Sequence, residues 1–374
     1  MNKIQSILTA EIYSLKIKFL FCLLFLSLLS VTSLASEERR VKIGGVFDLS
    51  SASGALWGID EKDAFLLAID DLRANNPGVE FDYIIEDSQY LNARSVSAVQ
   101  KLITVDKVDF IIGPTWEVFA ATAPLCEVNK VVCLAPSYNG DIFHSKKIKL
   151  NYSFTGFYDE REYSDVLVDE ISQRGFQKVG VLSAISTYYE TLNNVFKDRY
   201  KGEIAFFSEV ETTFRDFKTL VNRMPKDLDA IVLFLDGSGQ NFQFISQWKQ
   251  LRGDLPPIYS HDGIIYEPKF GLINEALPEL YVSVPKIEEP YASKWGAKFK
   301  DKTGRIPASP SGSIAYDLTF LTAGCFLRDK TAQSAVPECL RGIRNYDGYS
   351  GALTTLPDLQ VIGARSFKIE VFRR

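Results

Sequence analysis

Ser260-His261-Asp262 sets the three residue types of a hydrolytic triad side by side. Adjacent residues of an extended segment point to alternating faces. Their side chains therefore cannot make the nucleophile–base–acid chain that a triad needs. Gly237-Ser238-Gly239 is a small-residue loop, but it lacks the lysine or third spaced glycine of a phosphate cradle. The two histidines, His144 and His261, lie away from any cysteine pair, and no C-x-x-C spacing occurs. Metal-assisted hydrolysis then has few ligands to draw on. Neither an enzyme nor a cofactor is expected. The residues that suit binding stand at the ends of apolar runs. They are Trp116 and Glu117, Ser137, Tyr138 and Asn139, and the carboxylate Asp236.

The elements that must position them are legible around Val108–Ser137. Phe110–Ile112 reads as a buried strand broken by Gly113-Pro114-Thr115. A helix follows from Glu117, with Ala120, Ala121 and Ala123 as small packing positions, and Val131–Ala135 reads as the next strand. Strand, helix and strand of this length form a right-handed parallel crossover. Ligands of such sheets bind beyond the carboxyl ends of the strands, here Thr115–Glu117 and Ser137–Asn139.

The same alternation runs through the chain. Val41–Leu49 and Phe81–Glu86 read as strands. Phe65, Ala68, Ile69 and Leu72 recur at helical spacing, as do Val96, Val99 and Ile103. After an extended connector at Asn151–Gly156 the pattern restarts. Strands are expected at 178–184, 204–210, 229–235 and 257–260. Helices are expected at 160–173 and 189–200, and on the stripes Phe214/Phe217/Val221 and Phe244/Trp248/Leu251. Leu280–Pro285 is extended again. Tyr291, Trp295 and Phe299 stripe a helix, 313–328 and 336–344 are helical, and Tyr349–Arg374 reads as two strands around Pro357-Asp358. This predicts an α/β protein with two doubly wound parallel sheets.

Of the 374 residues, 46% are hydrophobic and 24% charged, and the net charge of −5 argues against a nucleic-acid partner. Lys3, Lys16 and Lys18 precede an apolar run, Phe19–Leu29, and Ser33-Leu34-Ala35 supplies the small residues of a cleavage site. A signal peptide over 1–35 is expected, which places the protein in the periplasm. A membrane anchor is the alternative, but the run is short of the ~20 apolar residues a span needs. Cys126, Cys133, Cys325 and Cys339 remain after cleavage. An even number in an exported chain suggests disulfides, with three connectivities open. Cys325 and Cys339 end successive helical segments, so that bridge is expected. Cys126 with Cys133 is less favoured because Cys133 falls inside a strand, and four free thiols are the alternative.

The ordered motifs IGGVFDLSSASGALWG, AIDDLRANN, IIEDSQY, VQKLITVDKVDFIIGPT, VCLAPS, KVGVLSAISTYYE, DAIVLFLDGSG, PPIYSHDG, TGRIPASPSGSIAYDLTFL and YSGALT resemble one family. It is the type I periplasmic solute-binding proteins of the branched-chain amino-acid, leucine-binding class. The resemblance runs from Val41 almost to the C-terminus. It implies two α/β lobes joined by three crossovers that close on a ligand like a flytrap. Lobe one maps to 41–153 plus 286–347, and lobe two to 154–285 plus 348–374. The hinges map to Asn151–Gly156, Val282–Pro285 and Tyr346–Gly351. The function implied is capture of a small polar or amino-acid-like ligand and its delivery to an ABC permease, by a monomer. A periplasmic ligand-sensing module acting on a signalling partner is the alternative.

The resemblance also implies the site. In the family's amino-acid binders, hydroxyl residues hold the ligand carboxylate just after the G-P-T-type and P-S-type turns. Glu117 and Asn139 occupy those positions here. An ionised Glu117 cannot donate to a carboxylate and repels it. Two readings of it stand: it faces the cleft, or it points away and caps its helix. Asp262 matches the family's acidic ammonium anchor, Trp57 an aromatic at the mouth of lobe one, and Tyr188 one in lobe two. Trp116 and Tyr138 share loops with these positions. Asp236 faces the cleft or caps a turn.

Overall fold

The structure is a computed structural model. It describes residues 39–51, 55–115, 117–137, 149–156, 161–286, 291–328, 335–356, 361–363 and 367–373, with the backbone alone at Glu117 and Val361. The expected signal peptide lies outside the described residues, as do His144, Trp116, Tyr138 and Asn139.

Two sheets organise the chain. The first contains β1 (Arg39–Phe47), β2 (Val79–Asp87), β3 (Phe110–Ile112), β4 (Val132–Ala135), β5 (Ser153–Thr155), β11 (Tyr346–Asp347), β12 (Ala352–Leu356) and β13 (Val361–Gly363), in the spatial order β11-β12-β13-β5-β4-β3-β1-β2. The second contains β6 (Lys178–Ala184), β7 (Glu203–Val210), β8 (Ala230–Phe234), β9 (Ile258–His261), β10 (Glu279–Pro285) and β14 (Phe367–Arg373), in the order β14-β10-β9-β8-β6-β7. Pairing is parallel except where β12 joins β11 and β13 and where β14 joins β10. The central strands β3 and β8 are apolar throughout because helices cover both faces. Every residue of β8 is fully buried. Burying each such aliphatic side chain contributes about 1.5–3 kcal/mol.

In lobe one, α1 (Ala55–Asn75) follows β1, α2 (Asn92–Thr104) follows β2, and α3 (Glu117–Asn129) follows β3. In lobe two, α4 (Arg161–Gln173), α5 (Thr187–Arg199), α6 (Lys218–Arg223), α7 (Gln240–Arg252) and the short α8 (Phe270–Ala276) flank the second sheet. The chain then returns to lobe one with α9 (Tyr291–Thr303), α10 (Ser311–Arg328) and α11 (Val336–Arg341). The expected aromatic stripe of α9 lies in a core: Trp295 and Phe299 pack with Ala64, Leu67 and Ala68 of α1 and Ala315 and Tyr316 of α10. Ala64 and Ala68 stand one turn apart, and their small side chains let α10 close on α1.

Three features depart from the sequence reading. Of the expected stripe on α7, Phe244 and Trp248 are buried but Leu251 is exposed. Phe214 precedes α6, which has six residues. The largest difference is at the C-terminus, where three strands form rather than two. The resemblance maps 348–374 to lobe two, yet β12 and β13 extend the first sheet. Leu353 and Ile362 bury their side chains in the lobe-one core, and Thr355 Oγ1 donates to Leu340 O at 2.5 Å. The third passage between the sheets therefore falls between Gly363 and Phe367, not at Tyr346–Gly351. The first two passages follow Gly156 and Pro285, directly after the expected extended connectors.

Both disulfides form, Cys325–Cys339 and Cys126–Cys133. The strand position of Cys133 does not bar the second bridge. Cys126, in α3, packs over β4 with its Cα 6.1 Å from that of Cys133.

Candidate functional site

In each lobe the carboxyl ends of the parallel strands carry the turns that position the site. After β1, Asp48 is 2% exposed and accepts from the Ser51 N–H at 3.0 Å and from the Ser51 hydroxyl. Gly58 presses on this turn: a Cβ there would lie 1.9 Å from Asp48 O. The contact seats the first turn of α1 on the end of β1 and fixes Trp57 beside it. After β3, Gly113 has φ +88°, and a Cβ there would meet Val46 O at 2.0 Å. After β4, Ser137 is fully buried, and its carbonyl accepts from Thr155 Oγ1 at 2.8 Å.

Lobe two presents aromatic rings around one carboxylate. Asp262, directly after β9, is 3% exposed. Tyr163 of α4 donates its hydroxyl to Asp262 Oδ2 at 2.9 Å. Burial, with the Asp262 charge adding to it, holds the Tyr163 phenol well above its usual range, so it remains a donor. Tyr188 and Tyr189, in the first turn of α5, place their rings 5.8 and 5.5 Å from the His261 ring. Ser186 caps that helix, its hydroxyl accepting from the Tyr189 N–H at 3.4 Å. Tyr266 also lies near Asp262, and burial followed by the Asp262 charge raises its phenol. Across the cleft, Trp57 of lobe one meets Tyr266 of lobe two edge to face, with centroids 5.1 Å apart.

His261 and Ser260 are held by backbone. Ser260 Oγ donates to Leu233 O at 2.8 Å. His261 Nδ1 accepts from the Gly263 N–H at 3.1 Å, and Nε2 lies 3.2 Å from Leu235 O. The ring proton therefore sits on Nε2. Ser260, His261 and Asp262 do not form a triad. Asp236 is half-buried, and its Oδ1 accepts from the Ser238 N–H at 2.9 Å, a turn-capping arrangement.

The structure thus brings Trp57, Tyr188 and Asp262 into one aromatic-lined region and seats Ser137 at the end of β4. The Glu117 side chain lies outside the described atoms. Tyr163, Tyr189 and Tyr266 do not stand out as site residues in the sequence, and His261 stands out only as a member of the rejected triad. Tyr163 shares a buried helical stripe with Leu167 and Ile171 and so reads as core. Tyr266 stands four residues past Asp262, and that proximity was the available signal.

Three buried carboxylates brace lobe one. Asp60 is fully buried and accepts from Arg305, from the Ala308 N–H at 2.5 Å and from the Ser309 N–H at 2.9 Å. Asp317 accepts from the Tyr349 and Ser350 N–H groups at 2.9 and 2.7 Å and from Ser350 Oγ at 2.5 Å. Burial outweighs these bonds and raises its carboxyl to about 6. Glu61 is 1% exposed, and among the described residues neither carboxylate oxygen has a hydrogen bond. Burial pushes it well above the usual carboxylate range, with the charges of Asp60 and Asp48 adding to that effect and the nearby Ser311 hydroxyl opposing it.

Comparison with known proteins points the same way. A family profile described as periplasmic binding protein matches residues 40–364. No curated protein matches the sequence. Among solved structures, the branched-chain amino acid transporter substrate-binding protein LivJ of Streptococcus pneumoniae, in complex with isoleucine, is 22% identical with a TM-score of 0.74. The match covers 87% of this chain and 94% of that one. The leucine-binding protein LivK of Thermotoga maritima is 21% identical with a TM-score of 0.72, over 89% and 99% of the two chains. A solute-binding protein of an ABC transporter from Rhodopseudomonas palustris, in complex with 4-hydroxybenzoate, is 16% identical with a TM-score of 0.74, over 86% and 90%. At these identities the likeness is one of fold.

Proposed function

Because the chain belongs to the periplasmic binding protein family, the non-enzymatic solute-binding proteins of ABC transporters, we propose that it captures a small amine-bearing ligand between its lobes and delivers it to an ABC permease. Asp262 carries this reading. It is a carboxylate with one oxygen bonded to Tyr163 and the other open to a partner, in an almost fully buried, aromatic-lined setting. A carboxylate so placed is stabilised by a cation or donor that replaces the lost water. Trp57 and Tyr188 supply apolar area with a polar tip, and in this reading Ser137, at the end of β4, serves the ligand from the lobe-one side. Glu117, standing where amino-acid binders carry a hydroxyl residue, disfavours a ligand carboxylate, since an ionised Glu can only accept. Glu117→Ser is then expected to admit ordinary α-amino acids. Capture proceeds by ligand-stabilised closure of the two lobes, and residues 1–35 serve as the export signal.

The test is thermal-shift screening of the mature protein against amines, amides, amino acids and aromatic acids. A ligand at about 100 times its Kd should stabilise by ~2.7 kcal/mol. Stabilisation by amines supports the reading. Stabilisation confined to aromatic or aliphatic carboxylic acids without an amine contradicts it.

A further inference from the structure

We propose that Tyr163 sets the head-group specificity of the cleft, admitting a primary ammonium and rejecting a guanidinium. The inference rests on Asp262 being the ligand's anchor. A carboxylate can be approached in two ways. An ammonium is a compact charge satisfied by one oxygen, whereas a guanidinium presents a flat fork that bonds both oxygens in parallel.

Asp262 offers one oxygen. Oδ2 accepts the Tyr163 hydroxyl at 2.9 Å. Among the described residues no donor reaches Oδ1. His261 Nδ1, 3.5 Å from it, is itself an acceptor, because the Gly263 N–H donates to it at 3.1 Å. With the Asp262 side chain 5% exposed, there is little space in which the carboxylate could turn to offer both oxygens.

Tyr163 is built to keep its place. It is 1% exposed, and its ring packs edge to face against Phe367, at the start of β14, with centroids 4.6 Å apart. The ring also stands 6.3 Å from the His261 ring at 88°. These contacts hold the ring independently of the hydroxyl. Tyr163→Phe should therefore keep the fold and remove one donor. Tyr163 is a positioning residue in this account: it shapes what Asp262 can accept.

The experiment uses matched pairs: isopentylamine, benzylamine and tyramine, each with its N-amidino (guanidino) derivative. They are titrated calorimetrically into the wild type, Tyr163→Phe and Asp262→Asn. The wild type is expected to bind the amine of at least one pair at least tenfold more tightly than its guanidino partner. Tyr163→Phe, with Oδ2 freed, should narrow that ratio at least tenfold, mainly by strengthening the guanidino compound. A merely structural Tyr163 would weaken both members alike and leave the ratio unchanged, which overturns the proposal. Equal wild-type affinity for both members also overturns it. Binding that Asp262→Asn leaves intact, or binding of no amine in the set, overturns the anchor assignment itself and this inference with it.

Discussion

Replacing Trp57 by alanine should loosen the cleft, by an amount the structure sets. Trp57 is the described lobe-one aromatic that meets a lobe-two ring, Tyr266, at 5.1 Å and 80°. An edge-to-face pair contributes about 0.5–1.5 kcal/mol beyond its area burial. The contact spans the lobes, so that energy favours the closed arrangement and not the open one. Its loss should lower the closed-to-open ratio roughly 2- to 12-fold in the ligand-free protein, taking RT as about 0.59 kcal/mol. Small-angle X-ray scattering of the ligand-free wild type, Trp57→Ala and Tyr266→Ala should show a larger mean radius of gyration in both variants. The double variant should add little, because either substitution removes the same contact. Ligand affinity should fall by a similar factor if Trp57 acts through closure alone. A loss beyond about a hundredfold would mean that Trp57 also touches the ligand. Unchanged scattering and additive effects in the double variant would refute the reasoning.

Two buried carboxyls of lobe one make predictions about pH. Asp317 binds its proton more tightly folded, at about 6, than unfolded, at about 3.9. Its contribution to stability is therefore complete below the unfolded value and is lost as pH rises through the folded one. Between pH 5 and 7 this group should cost roughly 1 kcal/mol. Asp317→Asn should flatten that part of the stability profile in chemical denaturation while lowering stability overall, since the amide cannot accept all three bonds from Tyr349 and Ser350; a slope unchanged by the substitution would contradict it. Glu61, raised by burial, has the same sign. Glu61→Gln should gain thermal stability relative to the wild type as pH is raised, and a constant difference in Tm across the range would show that the carboxyl does not titrate there.

Much of the fold was legible because the helical and strand periods are strong. The aromatic stripe of α9, the apolar strands of both sheets and the first two passages between the lobes follow from local pattern. What local pattern lacks is partner choice. Alternation in 352–356 shows a strand but not which sheet it joins, and the pairing is decided by Leu353 and Ile362 finding the lobe-one core. Cys126 and Cys133 illustrate the same point: a helix crossing over a strand brings them together, and that geometry is tertiary. In the site, Asp262 and Tyr188 stand out through the family resemblance, which maps them to an anchor and a cleft aromatic. Tyr163 does not, since its helical spacing is that of a core residue and its hydroxyl finds Asp262 99 positions away. Asp60 and Arg305 were hidden likewise, being 245 positions apart in sequence.

The central claim is that Asp262 anchors a positively charged or donor group of the ligand. The most direct measurement is calorimetric titration of the mature wild type and Asp262→Asn with the amine that gives the largest thermal shift. Removing one partner of a buried charge pair costs about 3–5 kcal/mol, or roughly two to four orders of magnitude in affinity. The account predicts a loss of that size in Asp262→Asn with the fold retained; an affinity within a few-fold of the wild type would contradict it.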